Sequence, residues 1–122
     1  MKYSIDIPYK FPSLNEYTNA CRSNRYAGAK MKKEAEEVVM WHAIGLPVID
    51  KKVKLHFHWI EKNRKRDLDN VAFAKKFIQD ALVKKGILAN GDGWKSIIGF
   101  TDTFSVDKDK PRVVVVIEEM EN

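Results

Sequence analysis

Cysteine is nearly absent: this chain of 122 residues contains one, Cys21. A lone thiol cannot close an intramolecular bridge, so a disulfide scaffold is excluded and a reducing, cytoplasmic setting is expected. Histidine is also scarce, at three residues, which leaves neither a Cys/His zinc site nor a Ser-His-Asp arrangement anything to rest on. No apolar run approaches the roughly 20 residues of a membrane span, and the opening Met1-Lys2-Tyr3-Ser4-Ile5-Asp6 has no apolar signal-peptide core. There is no glycine-rich phosphate loop with its lysine, so no nucleotide cofactor is expected. The four prolines are scattered and no repeat or low-complexity tract divides the sequence, which points to one domain over residues 1–122.

Basic charge, by contrast, is in surplus. Lys and Arg number 22 against 17 Asp and Glu, a formal charge of +5 that favours polyanionic partners such as nucleic acid without demanding them. Apolar residues make up 44% of the chain, enough for one modest core.

Their spacing suggests the elements. Tyr3, Ile5 and Ile7 alternate with polar residues up to Pro8, the pattern of a half-buried strand. The Pro-, Ser-, Asn- and Gly-containing stretch from Phe11 through Gly28 reads as a loop, and a loop that long hints at function. Lys30 to Ile44 reads as a helix with Met31, Ala35, Val38, Val39, Trp41 and His42 on its inner side, closed by Gly45 and Pro47. Val53, Leu55, Phe57 and Trp59 form the core face of a second strand whose other face carries His56 and His58. These two histidines could hold a metal at i, i+2, but exposed strand residues of structural use are the better reading.

A second helix is expected from Asn70 to Lys85, with Asp69 as N-cap and Gly86 as the residue after the C-cap. Strands around Ile97–Val106 and Arg112–Glu118 then follow, joined as a hairpin through residues 107–111. The expected fold is α/β or α+β, two helices on a mixed sheet in the order βαβαββ.

Chemistry concentrates in Glu61-Lys62-Asn63-Arg64-Lys65-Arg66-Asp67-Leu68-Asp69-Asn70, where a basic run meets two carboxylates spaced i, i+2. In extended backbone that spacing puts both on one side. Paired carboxylates make a hard oxygen site suited to Mg²⁺, which keeps waters for phosphate oxygens, and neighbouring arginines suit phosphate. These are the parts of metal-assisted phosphodiester hydrolysis. The same residues could equally be first-turn acids complementing a helix dipole beside a solvated loop. A third carboxylate, Asp92, lies in Asn90-Gly91-Asp92-Gly93-Trp94, which also reads as a simple turn. Of the tryptophans, Trp41 and Trp59 fall on expected core faces, and Trp94 alone is placed for DNA.

The set Arg66-Asp67-Leu68-Asp69-Asn70, Lys76, Asp80-Ala81-Leu82 and Asp92, with the earlier Pro12-Ser13-Leu14-Asn15-Glu16-Tyr17, resembles the RusA family of Holliday-junction resolvases across nearly the whole chain. The resemblance implies a homodimeric endonuclease acting on four-way DNA junctions. It implies metal-binding catalytic aspartates at Asp67, Asp69 and Asp92, and a functional lysine at Lys76. DNA contacts would fall to Arg64, Lys65, Arg66, Asn70, Lys75, Asn15 and Trp94. Two departures matter. The stretch between Asp69 and Asp80 is longer here than in short members, so Lys75 competes with Lys76, and Gly91-Asp92 stands where many members have two adjacent acids. A non-catalytic DNA-binding protein, or a nuclease of flaps, forks or RNA, are the competing functions.

One geometric expectation follows from the second helix. At 1.5 Å per residue its roughly 16 residues span about 24 Å, whereas the six steps from Gly86 to Asp92 reach at most about 20 Å. Asp92 would then either depend on an early helix end to return to Asp67 and Asp69, or complete the site of a second subunit.

Overall fold

The computed structural model describes residues 1–120. Four strands, β1 (Lys2–Ile7), β2 (Val53–Glu61), β3 (Ile97–Val106) and β4 (Arg112–Glu119), form one mixed sheet in the order β1-β4-β2-β3. Helices α1 (Leu14–Ser23), α2 (Arg25–His42), α3 (Leu68–Ala72) and α4 (Lys75–Lys84) occur between β1 and β3 in the chain. The α+β class and mixed sheet are as expected.

The hairpin between the last two strands is not formed. β3 pairs in parallel with β2, while β4 inserts antiparallel between β1 and β2. Val113-Val114-Val115-Val116-Ile117 explains why: it has no polar alternation, so both its faces want cover and it takes an inner position. β3 carries Thr101, Asp102, Thr103 and Ser105 and tolerates the edge.

The stretch expected to be a loop after Phe11 is helical. Ser13 Oγ accepts from the Glu16 N–H (3.2 Å) and Glu16 Oε1 accepts from the Ser13 N–H (3.3 Å), a complete capping box that starts α1. Extended backbone at Asn24 ends α1, and its side chain accepts from the Tyr26 N–H (2.7 Å) to start α2 earlier than expected. Gly28 lets the two helices approach, since a Cβ there would collide with Cys21 Sγ. Trp41 also departs from expectation, being 72% exposed. The buried stripe of α2 runs through Ala35 and Val39 and on to its C-cap Ala43, and two residues on from Val39 a helix has turned about 200°.

The expected helix over 70–85 is two pieces. Backbone through Phe73 and Ala74 stays helical but tightens, with N–H groups of Ala74, Lys76 and Phe77 bonding three residues back. Gly86 follows α4 at φ 82°, and the Gly86 and Ile87 N–H groups bond the Val83 and Leu82 carbonyls, closing the helix as its sequence position implied.

One apolar cluster joins the layers, from Ile5 and Ile7 through Val39, Phe57, Trp59, Phe77 and Leu82 to Val115 and Ile117. Phe57 and Trp59 stack with centroids 5.4 Å apart. Among the described residues, no helix is long and apolar enough to cross a membrane.

Candidate functional site

Where β2 ends, the basic loop turns the chain into α3. Asn63 Oδ1 accepts from the Lys65 N–H (3.0 Å), a local turn that leaves Arg64 and Lys65 exposed. Arg66 faces the protein. Its Nε and Nη2 donate to the two oxygens of Glu61 (2.8 and 3.1 Å), and its Nη1 donates to the Phe11 carbonyl (2.9 Å) and Glu16 Oε1 (3.2 Å). Burial opposes the charge, but Glu61 and Glu16 outweigh it and hold the guanidinium firmly protonated. The residue expected to contact DNA is thus a clasp joining β2, the loop before α3 and the start of α1, and Asn15, exposed in the first turn of α1, is brought to the same end of the molecule.

Asp67 is the actual N-cap of α3, in extended backbone, and Asp69 lies in the first turn. The i, i+2 pair is therefore not in one extended run, as the sequence reading supposed, but brackets a helix start. Asp67 makes no capping bond, although an N-cap Asp that does so typically contributes about 1 kcal/mol. Among the described residues, Asp69 accepts only the adjoining Asn70 N–H, at 3.0 Å. Both carboxylates are exposed, and Arg66 beside them is committed elsewhere. Their structural use is slight for two acids in a basic neighbourhood.

The two candidate lysines separate cleanly. Lys75 turns inward: its Nζ lies 2.6 Å from Asp102 Oδ2 on β3 and over the rings of Phe57 and Phe100, at 5.5 and 5.0 Å. The other oxygen of Asp102 accepts from the Trp59 indole N–H (2.8 Å). Lys75 is a tie between α4 and the sheet. Lys76 is exposed and stands between Asp80 Oδ1 (3.0 Å) and Asp92 Oδ2 (3.6 Å), and its hydrogen bond to Asp80 raises its pKa.

Asp80 in turn takes Lys32 of α2 at 2.9 Å. Burial raises its carboxyl pKa, but the hydrogen bonds of Lys32 and Lys76 outweigh that and bring it below the ordinary 3.8. A carboxyl lowered on folding stabilises fully above its unfolded value, and that contribution is lost as pH falls through the lower folded value. Urea unfolding below pH 4 should therefore show stability falling less steeply with acid in Asp80→Asn than in the wild type.

Asp92 has returned to the first turn of α4 within its own chain. The ten residues of α4 span only about 15 Å. The segment after Gly86 is pinned by Ile49–Leu88 bridging and by Asn90 Nδ2 donating to the Asp50 carbonyl (2.9 Å), with Gly91 at φ 83° turning the chain. Asp92 thus reaches Lys76 within its own chain. Trp94, two residues on, is 96% exposed.

The structure does not gather Asp67, Asp69 and Asp92. Among the described residues no three His, Cys, Asp or Glu side chains converge as a metal site. The exposed Asp67 and Asp69 suit Mg²⁺, a cation that accepts few protein ligands and retains water, while Asp92 is held by Lys76. His56 and His58 bond Thr101 and Thr103 (2.6 Å each), and His56 also meets Glu118 at 2.8 Å, so their ring nitrogens serve the sheet.

Sequence reasoning overlooked Glu16, Glu61 and Asp80 as partners. Only Glu16 left a signal, the Ser-x-x-Glu of the capping box. Compared with protein-family models and with curated proteins, the sequence matches none.

Proposed function

We propose that the protein is a Mg²⁺-dependent, structure-specific endodeoxyribonuclease of the RusA type, cutting four-way DNA junctions as a homodimer in the cytoplasm. The observation that carries this reading is the pair Asp67 and Asp69, exposed, uncapped and set against a basic loop. Carboxylates facing polyanionic DNA repel it unless they serve a cation.

In this reading Asp67 and Asp69 would hold Mg²⁺, while Asp92 lies against Lys76 and is not gathered with them. The ion supplies charge neutralisation at the phosphate and a more acidic attacking water. Arg64 and Lys65, together with Asn70, Asn15 and Trp94, hold the DNA. Lys76, kept protonated by its carboxylate partners, acts as a fixed positive charge toward the phosphoryl oxygens and not as a base. A dimer suits a junction whose scissile phosphates are related by two-fold symmetry, and the edge strand β3, with Ile98, Phe100 and Val106 exposed, offers an apolar border for it. The pairing of Asp92 with Lys76 favours the competing reading, a DNA-binding protein without catalysis. A panel of four-way junction, fork, flap, linear duplex and RNA hairpin, scored for binding and nicking with Mg²⁺, tests the proposal. Nicking confined to the four-way junction supports it, and binding to all without nicking supports the competitor.

The lysines give a sharper forecast. Lys76→Ala should lose about 100- to 1000-fold in single-turnover cleavage, the scale of removing one transition-state donor, with little change in melting temperature because Lys76 itself is exposed and Asp80 keeps Lys32. Lys75→Ala should do the reverse. It abandons Asp102 beside the core and costs about 1–3 kcal/mol of stability, with cleavage largely kept below the melting temperature.

A further inference from the structure

A cavity of about 240 Å³ opens beside the basic loop, between the segment after β1 and the start of β4. Its depth is apolar: Phe11, Trp59 and Val113 are buried there. Tyr9, half-buried, packs edge-to-face on Phe11 with centroids 4.9 Å apart, and burial keeps its phenol protonated beyond the ordinary range. Its mouth is cationic. Lys10, Lys62 and Lys65 border it and are exposed, whereas the one carboxylate in its lining, Glu61, is neutralised by Arg66.

Aromatic depth with a positive rim matches an amphipathic ligand, a flat apolar ring bearing an anion. The volume lies just under the ~300–1,000 Å³ of ordinary small-molecule sites, which limits the occupant to one small unit. Arg66 lines the cavity and directly precedes Asp67, so an occupant belonging to a bound strand lies next to the carboxylate pair. Extruding a base costs least where it is already unpaired, and stacking on an aromatic ring is indifferent to base identity. Such a pocket selects branched over continuous DNA without reading sequence.

We propose that this cavity receives a single unpaired nucleotide of the DNA strand at the branch, its base against Tyr9 and Phe11 and its phosphate among Lys10, Lys62 and Lys65. The choice of a DNA strand as the source rests on the nuclease reading. Nucleotide binding itself does not require cleavage, and the test uses that difference.

The ¹⁵N-labelled full chain is titrated with dAMP, deoxyadenosine and inorganic phosphate. In parallel, it is bound to a four-way junction carrying 2-aminopurine at the branch, with Ca²⁺ replacing Mg²⁺. The expected result is that dAMP shifts the Trp59 indole N–H and the Tyr9 and Lys62 amides with millimolar affinity, deoxyadenosine and phosphate being about tenfold weaker. Tyr9→Leu and the surface change Lys62→Glu should each weaken dAMP about tenfold and abolish a 2-aminopurine fluorescence change seen with wild type. Lys62→Glu keeps the test open should Tyr9→Leu fail to fold. No shifts around the cavity at tens of millimolar dAMP, or equal shifts with phosphate alone, overturn the proposal. So does dAMP binding with a silent 2-aminopurine junction, which makes the occupant a free nucleotide. Nicking is scored on the same preparations with Mg²⁺: a responsive pocket without nicking sinks the nuclease reading, and nicking without a responsive pocket sinks this one.

Discussion

Asp67→Asn and Asp69→Asn should each reduce Mg²⁺-dependent nicking of a four-way junction by at least about 1000-fold, the several kcal/mol that a metal contributes to neutralising transition-state charge. Junction binding should be unchanged or tighter, because removing one of two exposed carboxylates lessens repulsion of the backbone. Stability should barely move. Asp67 makes no capping bond and Asp69 accepts only its neighbour's N–H, an interaction asparagine's carbonyl can keep. Asp92→Asn is expected to weaken activity as well; a site drawn from one chain regains nothing when this variant is mixed with Asp69→Asn, whereas recovered nicking marks a site shared between subunits. Parallel gel-shift, nicking and thermal-melt measurements check these statements. A mutant with loss of cleavage and an equal loss of stability would reduce the aspartates to structural residues.

Arg66→Ala is expected to cost about 2–4 kcal/mol of folding stability and to lower the melting temperature by roughly 10 °C. Its side chain is 18% exposed and makes four hydrogen bonds, two to Glu61 at the end of β2 and two to Phe11 and Glu16, 50 or more positions away in the chain. Removing it strands Glu61 and frees the loop that positions Asp67. Arg64→Ala should leave stability intact and weaken binding to every DNA structure, with a shallower dependence on salt, because an exposed arginine releases phosphate counterions. Differential scanning calorimetry and binding at several salt concentrations separate the two. Equal, small effects on both readouts would mean that Arg66 is not a clasp.

Elements written in local sequence were legible. β1 and β2 alternate as half-buried strands do, α4 shows its apolar stripe and its closing glycine, and the structure bears these out. α1 was signalled only by Ser13 and Glu16 within a stretch whose proline and asparagines suggested a loop. Strand order depends on which neighbours cover a strand, and only the unbroken apolar run of β4 hinted that it lies inside. At the site, residue types marked Asp67 and Asp69 but could not show the direction of a long side chain. An arginine in a basic run looks the same whether it meets phosphate or, as Arg66 does, a glutamate 50 positions away. Lys75 and Lys76 are adjacent in sequence, yet one faces Asp102 and the other Asp92.

The most direct measurement is cleavage of a synthetic four-way junction by wild-type protein across a Mg²⁺ titration, with EDTA and Asp69→Asn as controls on the same DNA. The proposed function requires paired nicks near the branch point that appear with Mg²⁺, vanish with EDTA and are absent from Asp69→Asn. Tight junction binding with no nick at any Mg²⁺ concentration, or nicking that persists in EDTA, would contradict it.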